Sequence, residues 1–127
     1  MKQVFMIAIG GAVGAVCRFV ISEATQKRWA TEFPIGTLTV NLIGCFLIGL
    51  ILQLGSQADW LSPSLRSLLV TGFLGALTTF STFGHDTVRC ADGNLAHSLL
   101  NIGLHVVLGV SAVIIGITVA RVFAGAA

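Results

Sequence analysis

The segment GALTTFSTF, residues 75–83, places hydroxyl groups and aromatic rings in an otherwise apolar part of the sequence. Phe80 and Phe83 are three residues apart, so both rings share one face of a helix. Ser81 and Thr82 put hydroxyl donors on the adjoining faces. Such a pair of rings is typical of a packed core. Because the edge of a ring carries partial positive charge, the same pattern also suits a dehydrated path for an anion.

Two further polar residues interrupt apolar stretches. Asn41 carries an amide near the middle of its stretch, where an unpaired polar group is costly. It is either a bridge between helices or a donor on the same anion path. Arg18 is the one cation that falls inside an apolar stretch. It either anchors its helix at the membrane surface or attracts anions to a pore mouth.

Four small or β-branched residues, Gly72, Gly75, Thr78 and Thr79, lower helix propensity just before and within this segment. An unwound turn at this place would expose backbone carbonyls, which a membrane tolerates where they are buried or bind something. A cation held by carbonyl oxygens is one outcome. The other is a straight helix whose hydroxyls bond back to the preceding turn.

Composition places these residues in a membrane protein. Of the 127 residues, 55% are hydrophobic and 9% are charged, whereas roughly a quarter of a soluble domain is charged. The charges separate four apolar stretches, each long enough for a transmembrane helix of about 20 residues. We therefore predict an all-α integral membrane protein with a single four-helix domain over residues 1–127. The predicted helices run from about Val4 to Ala24, from Pro34 to Leu54, from Pro63 to about Val88, and from Leu95 to Val122.

The start of the chain, Lys2 followed by an apolar run, also resembles a secretory signal. The three further spans and the arginine that ends this run favour a first helix that is retained.

The charged and metal-binding residue types argue against several classes of function. A proton-coupled transporter needs a carboxylate inside the membrane, but every acidic residue falls at a predicted helix end or in a connection. These residues are Glu23, Glu32, Asp59, Asp86 and Asp92. The three cysteines and three histidines do not cluster in the sequence, which argues against an enzyme or a metal carrier. A net charge of +2 argues against nucleic-acid binding. The pattern favours a passive pathway.

Positive charges are nearly balanced between the two sides of the predicted spans, which predicts insertion in both orientations. One side carries Lys2, Arg66 and Arg121, and the other carries Lys27, Arg28 and Arg89, with Arg18 about two turns into the helix. Because a four-helix bundle fills its own core, a transport protein of this size must oligomerise. We therefore predict an antiparallel, dual-topology homodimer with its axis in the membrane plane.

Three motifs together resemble the Fluc family of bacterial fluoride channels, also called CrcB proteins. They are GGAVGAVCR, GTLTVNLIG and GALTTFSTF, which begin at Gly10, Gly36 and Gly75. The resemblance covers the whole chain. It implies a passive, multi-pass channel of the bacterial inner (plasma) membrane that exports cytoplasmic fluoride through two pores per antiparallel dimer. The positions that match the family's pore are Asn41, Phe80, Phe83, Ser81, Thr82, Thr39 and Arg18.

The resemblance also implies a central structural sodium ion at a break in the middle of the third helix. Main-chain oxygens of Gly75 and Thr78 from both chains would hold this ion. Some relatives carry a tyrosine on the pore side of the fourth helix, and this chain has no tyrosine. We expect His105 or Ser111 to take that place.

The alternative function is that of a small dual-topology multidrug-type exporter, which is another four-helix dimer. Such an exporter needs a carboxylate deep in the first helix. The first acidic residue here is Glu23, close to the predicted end of that helix, so the sequence favours the channel.

Overall fold

The computed structural model describes residues 1–57 and 60–125 and is helical in nearly all of them. Four helical spans are long and apolar enough to cross a bilayer, which confirms the predicted all-helical membrane class. The prediction for Asp59 falls outside the described residues. The helices are α1 (Lys2–Trp29), α2 (Ile35–Gln57), α3 (Pro63–Arg66), α4 (Gly75–Leu77), α5 (Phe80–Gly93) and α6 (Leu95–Gly125), with a π-helical segment (Ser67–Leu74) between α3 and α4.

Local sequence signals account for two of the helix starts. The hydroxyl of Ser62 accepts a hydrogen bond from the backbone N–H of Leu65 at 3.3 Å, and Pro63 occupies the first helical position. Before α6, the side-chain oxygen of Asn94 accepts from the N–H of Ala96 at 2.9 Å. Both caps satisfy N–H groups that a helix start leaves without an internal partner.

The third span is not one continuous α-helix. Thr78 and Thr79 have extended backbone angles (φ −86°, ψ 157° and φ −151°, ψ 115°) between α4 and α5. The hydroxyl of Thr79 then accepts from the N–H of Thr82 at 3.2 Å and so caps the start of α5. Two threonines therefore separate a helix end from a new helix start.

Glycines allow the helices to pack backbone against backbone. α1 packs against the π-helical segment, where a Cβ on Gly72 would lie 2.7 Å from the carbonyl oxygen of Ile7 and 3.1 Å from the Cα of Gly10. α2 packs against α6, where a Cβ on Gly49 would collide with the carbonyl of Val113. Small residues are typical of helix contacts in membranes because they permit this close approach.

All four predicted helices extend beyond their predicted ends. α1 reaches Trp29 rather than Ala24, α2 reaches Gln57 rather than Leu54, α5 reaches Gly93 rather than Val88, and α6 reaches Gly125 rather than Val122. Hydropathy marks where a membrane ends, whereas a helix can continue beyond that point.

The longer α5 corrects one prediction. Asp86 does not lie at a helix end: it lies within α5, and only 8% of its surface is exposed. The prediction that every carboxylate falls at a helix end or in a connection was therefore wrong for this residue.

Candidate functional site

A mostly apolar cleft of about 450 Å³ runs along the break in the third span. Seven of the residues that line it are named in the sequence predictions, and the remainder are small or aliphatic. We call it the phenylalanine cleft. Its lining consists of Asn41, Gly44, Cys45, Ile48, Val70, Leu74, Gly75, Thr78, Thr79, Phe80, Phe83, His105 and Val106.

The two phenylalanine rings lie beside one another in this cleft, with very different surroundings. The ring centroids of Phe80 and Phe83 are 5.5 Å apart and their planes make an angle of 49°. Phe80 is 83% exposed on the surface of the chain, so it is not a core residue of this chain. Phe83 also contacts the ring of His105, with 4.4 Å between centroids. The rings stand at an open wall that a neighbour or an ion can reach.

Asn41 binds the backbone of the break. Its Nδ2 donates to the carbonyl oxygen of Thr79 at 3.2 Å, and its Oδ1 accepts from the N–H of the same residue at 2.8 Å. The amide therefore bridges α2 and the third span, which is one of the two roles that the sequence left open. One N–H of Nδ2 remains beyond this pair of bonds, so the bridge does not exclude a donor role in the cleft.

Hydrogen bonds at the break leave the carbonyls of Gly75 and Thr78 without their usual helical donors. In an unbroken α-helix these carbonyls would accept from the N–H groups of Thr79 and Thr82. Here the N–H of Thr79 instead donates to Oδ1 of Asn41, and the N–H of Thr82 donates to the hydroxyl of Thr79. Two neutral oxygens thus lose their helical donors next to the cleft, and neutral oxygen is a ligand type suited to a hard cation.

The hydroxyl of Thr78 shows that the two sequence-based alternatives for this segment are not exclusive. It bonds back to the carbonyl of Leu74 at 2.9 Å, as expected for a threonine in an intact helix. The helix nevertheless ends one residue before Thr78.

A second cleft, of about 380 Å³, shares Thr79 with the phenylalanine cleft. It joins a cation, hydroxyl groups and a carboxylate. We call it the arginine cleft. Its lining consists of Ala15, Arg18, Phe19, Ser22, Glu23, Thr37, Val40, Thr79, Ser81 and Thr82.

Hydroxyl groups lead from the break into the arginine cleft. The Oγ1 of Thr79 lies 3.3 Å from the Oγ of Ser81 and 3.0 Å from the Oγ1 of Thr82. Ser81 and Thr82 are exposed, whereas only 8% of Thr79 is exposed. Because a hydroxyl can rotate between donating and accepting, this cluster can turn its hydrogens toward an anion.

Two predicted positions are not brought to these clefts. Thr39 donates to the carbonyl of Ile35 at 2.8 Å, and it points to a different face of α2 from Asn41, two residues away. Of the two residues offered for the fourth span, His105 lines the phenylalanine cleft, and Ser111 is absent from the lining within the described chain.

The sequence prediction did not anticipate the burial of Asp86 and Asn101. Asp86 accepts a hydrogen bond from the hydroxyl of Thr37 at 2.7 Å, and Arg89 lies 3.7 Å from its other oxygen. Asn101 of α6 has no exposed surface and donates to the hydroxyl of Thr87 at 2.8 Å. A signal for Asn101 was available, since it is an amide in an apolar stretch like Asn41.

Known proteins match this chain over nearly its whole length. The family model for CrcB-like protein, Camphor Resistance (CrcB), matches residues 5–117. A protein of Citrifermentans bemidjiense named fluoride-specific ion channel FluC is 45% identical over 122 residues, which cover 95% of this chain and 98% of that protein. A protein of Maridesulfovibrio salexigens with the same name is 42% identical over 122 residues, which cover 95% of this chain and 97% of that protein. Both clefts fall within the residues matched by the family model.

Proposed function

Since the chain belongs to the CrcB family of ion channels, which are not enzymes, we propose that it is a passive fluoride-selective channel that exports fluoride from the bacterial cytoplasm. Relatives that bear the name fluoride-specific ion channel support the choice of ion. The observation that carries the proposal is the meeting of an amide, two aromatic rings and a hydroxyl cluster at one break in a membrane span.

The path that we propose replaces water with neutral groups. Arg18 draws the anion to the arginine cleft, and the hydroxyls of Ser81 and Thr82 take over part of its hydration. The free N–H of Asn41 and the ring edges of Phe80 and Phe83 then hold it without a formal positive charge. Weak donors suit transport, because an ion must bind well enough to enter and weakly enough to leave.

We propose that two chains assemble as an antiparallel dual-topology homodimer with two such paths. The balanced charges support the topology, and the exposed Phe80 supports an assembly in which a partner covers the phenylalanine cleft. A closed two-fold dimer is the simplest assembly in which both chains use the same surface, here the wall of the phenylalanine cleft, to contact one another.

We further propose that the third helix is broken in mid-membrane and that a structural sodium ion binds there. The extended angles of Thr78 and Thr79 support the break. The carbonyls of Gly75 and Thr78, which lose their helical donors, fit sodium because it prefers oxygen ligands. Bound sodium would supply a fixed positive charge that orders the break, and the chain's own contribution is to present these oxygens through Asn41 and Thr79.

The buried Asp86 does not make the pathway proton-coupled in this proposal. Its carboxylate receives the hydroxyl of Thr37 and lies near Arg89, so it has partners for its charge. Glu23 pairs with Lys27 at 2.8 Å, near the end of α1. The deep first-helix carboxylate of a multidrug-type exporter is thus absent from the described α1, which favours the channel over that alternative.

Fluoride efflux from liposomes tests the function. Purified protein should release fluoride down its own gradient, nearly exclude chloride, and keep its rate when a protonophore collapses the proton gradient. Liposomes without protein are the control. Absence of fluoride release, or a rate that follows the proton gradient, would refute the proposal.

A further inference from the structure

Phe83 is enclosed by a circuit of contacts that involves α5 and α6. The hydroxyl of Thr87 donates to the carbonyl of Phe83 at 2.7 Å, and Nδ2 of Asn101 donates to that hydroxyl at 2.8 Å. Nδ1 of His105 lies 3.0 Å from the carbonyl of Asn101, and the imidazole contacts the Phe83 ring. The chain of contacts therefore begins at the backbone of Phe83 and returns to its side chain. We call it the Phe83 circuit.

The circuit determines the tautomer of His105. The carbonyl of Asn101 can only accept, so Nδ1 of His105 must carry the hydrogen of this bond. In the neutral ring Nε2 is then an acceptor with a free lone pair. This atom is buried and has no hydrogen-bond partner within the described chain. The structure thus specifies one tautomer, which a spectroscopic measurement can identify.

The other ring of the pair has no comparable support. Phe80 is largely exposed and its aromatic contact in the chain is Phe83 itself. Asn101, by contrast, is completely buried: its Nδ2 donates to the hydroxyl of Thr87, and its Oδ1 has no hydrogen-bond partner within the described chain. A buried amide that is only half paired is costly, so its presence needs a reason. The hydrogen bond that Asn101 donates to Thr87 gives a reason for an amide at this position.

We propose that Thr87, Asn101 and His105 are positioning residues that hold the ring of Phe83 in one orientation at the anion path. This inference rests on the proposed function. Ring orientation matters because the edge of a benzene ring attracts an anion and its face repels one. A ring free to turn would present both. Loss of the circuit should therefore lower fluoride flux and weaken the discrimination against chloride.

The sharpest variant changes a hydroxyl that does not line either cleft. Thr87→Val keeps the shape of the side chain and removes both hydrogen bonds that pass through it. We expect fluoride efflux to fall on the order of tenfold, with a smaller fluoride-to-chloride ratio. Thr87→Ser restores the hydroxyl and should recover most of the rate. The matched control is Thr118→Val, because Thr118 also bonds back to its own helix, at Ile114, but is exposed and outside the circuit.

Two substitutions of His105 distinguish the effect of its ring contact from the effect of its hydrogen bond. His105→Phe keeps an aromatic ring against Phe83 and loses the bond to Asn101, whereas His105→Ala loses both. The rate should decrease from wild type to the phenylalanine variant and again to the alanine variant. Equal rates in all three proteins, or equal rates for Thr87→Val and Thr118→Val, would overturn the proposal.

A measurement on the folded wild-type site does not depend on flux. Protein labelled with ¹⁵N-histidine, with His85→Gln and His97→Gln to leave one signal, should show His105 protonated at Nδ1 and unprotonated at Nε2. The opposite tautomer would overturn the circuit even if fluoride flux is normal. If wild-type protein carries no fluoride, the channel proposal fails, while the tautomer still decides whether the circuit exists.

Discussion

The two clefts that meet at Thr79 differ in how they treat charge. The arginine cleft contains Arg18, Glu23 and exposed hydroxyls, which are groups that water also solvates well. The phenylalanine cleft is lined mainly by rings, aliphatic side chains and one amide, and Thr78 and Thr79 border it at the break. An anion moving from one to the other would leave a water-like environment for one of weak, neutral donors. The break at Thr78 and Thr79 is the boundary at which that change would take place.

This contrast explains why so many polar backbone groups collect at the break. A helix that continued through this region would use its own N–H and carbonyl groups internally. By ending at Leu77 and restarting at Phe80, the chain frees them, and Asn41 and the hydroxyl of Thr79 bind part of what is freed. Four perturbations test the contrast, in order of decreasing expected effect.

Replacement of Asn41 should have the largest effect, because this residue ties the boundary together. Asn41→Leu would leave the N–H and the carbonyl of Thr79 without their partner, at about 1–3 kcal/mol for each unsatisfied group. We expect lower thermal stability in detergent and a loss of fluoride efflux. A variant as stable and as active as wild type would show that the amide does not hold the break.

Loss of an aromatic ring should reduce transport while leaving the protein folded. Phe80→Ile keeps an apolar side chain but removes the ring edge, and the exposed position means that little packing within the chain is lost. Fluoride efflux should fall severalfold, with an unchanged elution volume in size-exclusion chromatography. Unchanged efflux would mean that the phenylalanine cleft is not the path.

Removal of the positive charge of Arg18 should affect only the arginine cleft. Arg18→Gln should lower fluoride efflux by a few fold, because a positive charge at a pore mouth raises the local concentration of anions. The deficit should shrink as salt is added, since screening shortens the reach of the charge. Efflux measured at two ionic strengths gives the comparison, and a deficit that does not change with salt would contradict this role.

The smallest effect is expected at Thr39. Its hydroxyl bonds within α2 and lies on a different face from Asn41. Thr39→Val should therefore leave fluoride efflux within about twofold of wild type, an effect of well under 1 kcal/mol. A large loss of efflux would place Thr39 on the path after all.

The sequence was sufficient to predict the class of fold, and it named several of the residues that line the clefts. Hydropathy and charge spacing indicated four spans, and the chemistry of Asn41, Phe80 and Phe83 singled them out. Their partners could not be read in the same way. Asn41 binds the backbone of Thr79 only because of the way α2 packs against the third span. The relative position of two packed helices cannot be read from the sequence of either helix alone.

The residues that were misplaced or missed share a cause. Asp86 was assigned to a helix end because the apolar stretch stops near it, although the helix continues to Gly93. Asn101 was overlooked although it is an amide in an apolar stretch, because its partner on α5 is known only once α5 is packed beside α6. In both cases a hydroxyl from another helix, Thr37 or Thr87, provides the partner that makes burial possible.

A crystal structure of the purified protein with fluoride present would test the central claim most directly, by showing what faces the phenylalanine cleft. We expect two oppositely oriented chains, with the rings of Phe80 and Phe83 turned inward along a continuous path that starts at the arginine cleft. Two chains with the same orientation, or rings that face the lipid, would contradict the account.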